Sequence, residues 1–276
     1  MGDFTPRGRG WNAPTVEQTG RLYRQGIRAA HLLADVVPAP FADCADLVKI
    51  LDQGQLGSCT AQATSQIIRA AMLRVGAPPG VEFPSRLFGY QLALHADGHF
   101  GRDVGTSIGT VMEAYAANGF PRESVWPYDL RNFEQRPSPD SWRQSADQRA
   151  VPAVSYHHIA EDSLSRVTTL QRALMDRKLV AFGTLVTDGF CFGNLQPVVQ
   201  RPSREDAIAG GHAMVVCAYE TDMLTGRLRF RVANSWGEGF GEGGFFWMDV
   251  DYLTWSETCD FWLVSRAVMF SDAVSP

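Results

Sequence analysis

The sequence predicts an α+β fold of two lobes: a helical first lobe over about residues 45–140 and a β-rich, barrel-like second lobe over about 150–276. Three observations carry this. Residues 60–75 place Ala, Gln, Ile, Arg and Met at good helical positions and stop at Gly76 and Pro78-Pro79. After residue 178, short apolar runs recur, each closed by Gly, Asn, Asp or Pro. A polar, proline-containing connection from Pro127 to Pro152 lies between the halves and holds the lobe boundary.

The elements follow in order. Residues 1–14 are rich in Gly, Pro and Arg and read as a flexible arm. A helical period then places Val16, Leu22, Tyr23, Ile27, Ala30 and Leu33 on one face, predicting a helix over Thr15–Asp35. Residues 1–35 therefore stand apart from a main domain at 36–276. Pro38 and Pro40 force an extended passage to Cys44. Helices are predicted at Thr60–Val75, with Ser58 as its cap, and at Ser107–Asn118, ended by Gly119 and Pro121. A helix over Leu164–Asp176 precedes strands at Leu179–Val186, Ala213–Tyr219, Leu228–Val232 and Gly244–Val250. Clefts between two such lobes commonly hold active sites.

The 25 basic and 30 acidic residues give a net charge of −5, which argues against a nucleic-acid partner. Apolar residues at 45% and charged residues at 20% are the composition of a folded chain, not a disordered one. No apolar run reaches the roughly 18 residues that would predict a membrane span. The amino terminus lacks a secretory apolar stretch, and Pro6 stands where a myristoylation signal needs Ser or Thr. Five cysteines without a C-x-x-C pair are too few for a disulfide scaffold. The expectation is cytoplasmic residence, or export without a Sec signal in the manner of an effector.

The chemistry concentrates in three runs. In Gln53-Gly54-Gln55-Leu56-Gly57-Ser58-Cys59, two glycines and a serine permit a tight turn that delivers Cys59 to the first turn of a helix. Unpaired N–H groups and the helix dipole favour a thiolate there, and the thiolate is the reactive form. A buried cysteine packing as a small hydrophobe is the plainer alternative. Gly210-Gly211-His212-Ala213 sets an imidazole at the start of an apolar strand, behind two residues too small to block access. Asn234-Ser235-Trp236-Gly237 puts an amide at the end of the next strand, where its carbonyl could fix the imidazole tautomer. A satisfied strand-edge histidine and an ordinary turn asparagine are the alternatives.

Together, and in this order, these runs resemble the papain-like (C1) cysteine peptidases. The resemblance covers the chain from about Asp35 to the C-terminus. It implies a papain-like fold, no cofactor and no metal, and a peptide or protein substrate. It assigns Cys59 as nucleophile, His212 as general base and acid, Asn234 as orienter of His212, and Gln53 with the Cys59 N–H as oxyanion donors. It makes Trp236 a shield of the Asn234–His212 bond. Asp103-Val104-Gly105-Thr106 resembles the segment that pairs with substrate, with the Gly105 backbone binding an extended peptide and Thr106, Gly57 and Gly211 beside it. Asp260-Phe261-Trp262 resembles the bacterial branch of the family.

Departures matter as well. Leu56 stands where secreted members carry a disulfide-bonded cysteine, consistent with a reducing compartment. Thr60 replaces the aromatic that usually follows the nucleophile. No long helical propeptide is expected from this sequence; residues 1–35 read as a short self-inhibitory pro-segment, a strap across the lobes or a partner-binding helix, the strap being preferred. The implied reaction is hydrolysis through a thioester. An acyl- or peptidyl-transferase and a catalytically silent binding module are the alternatives, the latter disfavoured because all four reacting positions are filled.

Other patterns carry less. Gly239–Gly244 matches G-x-G-x-x-G but runs into a strand pattern, leaving no helix N-terminus for a pyrophosphate. His95, Asp97, His99 and Asp103 have metal-ligand types, but Asp97-Gly98 interrupts the helical spacing. His157-His158 would point to opposite faces of a strand. The arginines at 7, 9, 21, 24 and 28 read as a solvated face.

Overall fold

A helix begins at Cys59, directly after Gly57-Ser58, in a run rich in Ala, Gln, Arg and Met. The computed structural model describes residues 8–15, 18, 33, 35–147, 154–159, 163–193, 195–267 and 270. In it Cys59–Arg74 forms α1, buried on every side from Cys59 to Met72. Such a helix must satisfy its polar side chains internally. Gln66 donates to the Leu47 carbonyl at 3.2 Å, Ser65 pairs with the Tyr115 hydroxyl at 2.9 Å, and Arg69 donates to the Val81 and Pro79 carbonyls, each at 2.8 Å. Ser58 makes no side-chain cap; its hydroxyl pairs with Tyr128 instead.

Arg86–Ala96 (α2) is a helix that no periodicity argument anticipated, started by the Ser85 hydroxyl accepting the Phe88 N–H. Ile108–Asn118 (α3) is capped by Ser107 and stopped by Gly119 at φ 70°, as expected. Helices α2 and α3 approach closely at Gly89, where a Cβ would stand 2.3 Å from the Tyr115 ring. The polar connection contains a further helix, Pro139–Asp147 (α4). Ser163–Met175 (α5) matches its predicted span within a residue, and Asp188–Cys191 (α6) and Val250–Leu253 (α7) are single turns. The helix expected over Thr15–Asp35 lies almost wholly outside the described residues.

The strands are Phe41–Asp43 (β1), Val154–His158 (β2), Val180–Thr187 (β3), Ile208–Thr221 (β4), Leu228–Ala233 (β5), Phe245–Asp249 (β6) and Thr258–Ala267 (β7). They pair antiparallel in the order β2-β7-β3-β4-β5-β6, with β1 against β4. The barrel expectation is corrected here: the strands form an open path, not a closed ring. Strand β4 is longer than its buried run because the flanking residues pair through backbone without being buried. Its register sets Gly211 opposite Leu185, His212 opposite Thr184 and Ala213 opposite Gly183. Gly183 is also opposite Cys259 on β7.

Candidate active site

The N-terminus of α1 and the start of β4 meet across a cleft, and each supplies one reactive group. Cys59 and His212 are both fully buried, at 0% exposure. His212 Nε2 lies 2.7 Å from Asn234 Oδ1, which also accepts the Ser235 N–H at 2.7 Å. An amide oxygen can only accept, so Nε2 carries a proton and the neutral ring presents Nδ1 as an acceptor. Nδ1 is buried with no hydrogen-bond partner. Trp236, 2% exposed, stacks on the imidazole at 4.4 Å between ring centroids. Its place is against His212, beside the Asn234 bond. On the sulfur side, the backbone N–H of Ala213, the residue after His212, reaches the Cys59 thiol.

Gln53 is buried and firmly held: its Oε1 accepts the Ser235 hydroxyl at 2.6 Å and its backbone N–H bonds the Ser235 carbonyl at 2.9 Å. The Gln53 Nε2 donates to the Leu56 carbonyl at 2.9 Å and to the Gly8 carbonyl at 3.0 Å. That second partner is the main surprise. The segment read as a flexible arm lies in the cleft from Gly8 to Asn12. The Gly8 N–H bonds the Gly54 carbonyl at 3.1 Å, the Gly10 carbonyl accepts the Thr106 N–H at 2.8 Å, and the Asn12 N–H bonds the Thr106 carbonyl at 3.0 Å. The Trp11 N–H points at the Gly211 carbonyl at 3.3 Å. The Gly10 N–H lies near enough to the Cys59 sulfur to favour its charged form.

Glycine is required along this segment for close approach. A Cβ on Gly10 would sit 1.7 Å from the Gly57 carbonyl oxygen, and one on Gly8 2.2 Å from the Leu56 oxygen. Gly105, at φ 74°, would put a Cβ 2.2 Å from the Gly10 oxygen. The backbone that pairs with the segment is therefore that of Thr106. The Gly105 N–H, expected to bind peptide, donates to the Tyr90 hydroxyl at 3.1 Å. Asp103 fixes the opposite wall, accepting the Gly57 N–H at 3.0 Å on each oxygen and the Tyr90 hydroxyl at 2.6 Å.

Burial weighs against charge on both reactive groups. Removal from water pushes the Cys59 thiol up to about 11, outweighing the N–H groups that favour a thiolate. Burial likewise pulls His212 down to about 4, the Asn234 bond opposing it and the Arg9 charge adding to it. A helix terminus contributes about 0.3–2 kcal/mol to an adjacent charge, less than burying an ion costs. In the covered cleft burial therefore works against the thiolate that the helix start favours, and toward the uncharged thiol and neutral imidazole.

Two participants escaped the sequence reading. Trp11 is 4% exposed, its indole Nε1 3.0 Å from Asp260 Oδ2. An aromatic set among glycines in a polar arm was the available signal. Asp260 is a buried carboxylate directly before the apolar run Phe261–Val264, and such a group needs donors. The remaining candidates fall elsewhere. Asp97 accepts the Thr106 hydroxyl at 2.8 Å, His157 Nε2 pairs with the Ser265 hydroxyl at 2.7 Å, and His158 packs on Trp262 at 4.8 Å.

The family model for papain family cysteine protease matches residues 39–261. A peptidase C1-like protein of Acanthamoeba polyphaga mimivirus is 26% identical over 256 residues, spanning 88% of this chain and 81% of its own. Xylellain, a cysteine protease from Xylella fastidiosa, has a similar structure, with a TM-score of 0.76 and 25% identity over 97% of this chain and 99% of that one. Digestive procathepsin L 3 of Tenebrio molitor shares the fold at a TM-score of 0.64 and 17% identity, over 96% of this chain and 77% of that one.

Proposed function

Because the chain belongs to the papain family of cysteine proteases, hydrolases of peptide bonds, we propose that it cleaves peptides or proteins through Cys59 and His212 and that residues 8–12 hold this activity in check. The observation that carries the proposal is the peptide already in the cleft: a backbone carbonyl on the Gln53 amide at 3.0 Å, with the next residues crossing the thiol. Under the segment the thiol is held in its uncharged, unreactive form.

With the segment displaced, water reaches the pair and the cost of charging it falls. The thiol proton passes to His212 Nδ1, and the imidazolium keeps its orientation through the Asn234 bond. The thiolate attacks the scissile carbonyl carbon. Gln53 Nε2–H and the Cys59 N–H donate to the oxygen as it gains negative charge, each donor contributing on the order of 10²–10³ in rate. The intermediate collapses to a thioester while His212 gives its proton to the leaving amine. Water then loses a proton to His212 and attacks the thioester, and the thiol is reprotonated as the acid leaves.

The test is intact-mass labelling with the epoxysuccinyl inhibitor E64, which is bound in the solved structure of pineapple bromelain. One adduct at Cys59, lost in His212→Ala and accelerated when Trp11 is truncated, is the expected result. Labelling at other cysteines only, or unchanged labelling in His212→Ala, would overturn the proposal.

A further inference from the structure

Trp11 leaves a mould of the pocket it fills. Its indole lies flat against β3: a Cβ built on Gly183 would stand 2.0 Å from both Cε2 and Nε1 of the ring, and its three nearest neighbours are all Trp11 atoms. On the β4 side, a Cβ on Gly211 would stand 2.1 Å from the Trp11 carbonyl oxygen and 2.8 Å from Cε3. Any larger residue at either position fills the slot. At its floor, Asp260 Oδ2 accepts the indole N–H at 3.0 Å and the Ile108 N–H at 2.7 Å, while Oδ1 accepts the Trp262 indole at 2.6 Å.

Asp260 is held rigidly. It sits at φ 57°, is 2% exposed, and is anchored by the first turn of α3 and by Trp262. When the segment leaves, water takes the place of the Trp11 N–H, and a ring that displaces that water without bringing a donor leaves a buried acceptor unpaired, which is costly. A ring that fits between two glycines and brings one edge N–H restores both packing and hydrogen bond. A phenyl or naphthyl ring restores only the packing. A cation is the poorer fit, because the Ile108 and Trp262 N–H groups already serve the carboxylate.

From this we infer that Gly183, Gly211 and Asp260 form an indole-selective subsite, so that the enzyme prefers substrates with tryptophan next to the residue lying at the thiol. The inference rests on the reading of Cys59 as nucleophile. The spacing comes from the segment itself: Gly10 lies beside the sulfur and against Gly57, and the adjacent Trp11 enters the slot. The segment lies parallel to Thr106, so a substrate that pairs antiparallel there brings to the slot the residue preceding the one at the thiol.

The experiment uses the full chain carrying Trp11→Ala, which leaves the slot open. Second-order alkylation of Cys59 is measured with acyl-Xaa-Gly chloromethyl ketones, in which the thiolate displaces chloride and forms a thioether. Xaa is Trp, 2-naphthylalanine, Leu or Arg, and iodoacetamide reports the bare thiol. The Trp probe should react at least about tenfold faster than the naphthylalanine probe, which matches its bulk but lacks the N–H. Adding Gly183→Ala should erase that ratio, since the new methyl occupies the ring's place. Equal rates for Trp and naphthylalanine, or a faster Arg probe, overturn the indole subsite while leaving the nucleophile intact. A Cys59 inert to every reagent, iodoacetamide included, overturns the nucleophile reading and the subsite with it.

Discussion

Truncating Trp11 should switch the thiol on. A buried aromatic side chain removes about 150–250 Å² from water, which at about 25 cal/mol per Å² is an upper estimate of about 4–6 kcal/mol. Trp11 lies in a groove that water refills after truncation, so the low end of the usual large-to-small cost, about 3 kcal/mol, is the better figure. At about 1.4 kcal/mol per decade, the open fraction of Trp11→Ala exceeds that of the parent by about 10²-fold. The assay is iodoacetamide alkylation followed by peptide mapping, which separates Cys59 from the half-buried Cys191 and Cys259. In the parent, a thiol held at about 11 in place of 9 has about 100-fold less thiolate at neutral pH, and its rate should climb about tenfold per pH unit toward that value. In Trp11→Ala the profile should flatten and extend to lower pH as the ion pair forms. Parent and variant alkylating at one rate with one slope would refute the covering role of the segment.

Other outcomes follow from the same geometry. Gly10→Ala drives a methyl into the Gly57 carbonyl oxygen and should raise Cys59 alkylation as Trp11→Ala does; a rate equal to the parent's contradicts the contact. Gln53→Ala in the Trp11→Ala background should lower kcat for peptide hydrolysis by about 10²–10³ with little change in KM, and a KM effect alone would remove Gln53 from the oxyanion site. His212 and His158 are both held neutral by burial at about 4. The unfolded chain binds the extra protons first, so the stability these groups contribute is complete above about pH 6.5 and is lost as pH falls toward 4, by up to about 1.4 kcal/mol per unit for each. Urea midpoints unchanged between pH 7.5 and 5.0 would contradict that burial.

Local signals made much of the molecule legible. The helix former run of α1, the buried stretch of β4 and the three motifs around Cys59, His212 and Asn234 are short-range features, and the structure brings Gln53, Cys59, His212 and Asn234 to one cleft. Helix α2 was missed because Gly89 and its aromatic neighbours depress its helical propensity, and it is held by packing against Tyr115 and by the Ser85 cap. Strand β7 was missed because charged and polar residues interrupt its apolar run; one of them, Asp260, takes two of the three donors bonded to its carboxylate from residues distant in sequence. The amino-terminal segment misled most. Gly8 and Gly10 look like flexibility in isolation, yet each is there because backbone passes within contact of backbone, a tertiary fact no propensity encodes.

The segment in the cleft is covalently part of the domain it covers, and that sets how it responds to dilution. A tethered ligand meets its site at an effective concentration on the order of millimolar. Contacts as modest as a 10 µM dissociation constant, taken as a rough example, would then keep about 99 of every 100 molecules closed at any protein concentration. A single backbone cut beyond Asn12 changes the statistics completely. The same contacts become a bimolecular equilibrium, the released peptide is lost to bulk solution at nanomolar protein, and the open state persists without any further signal.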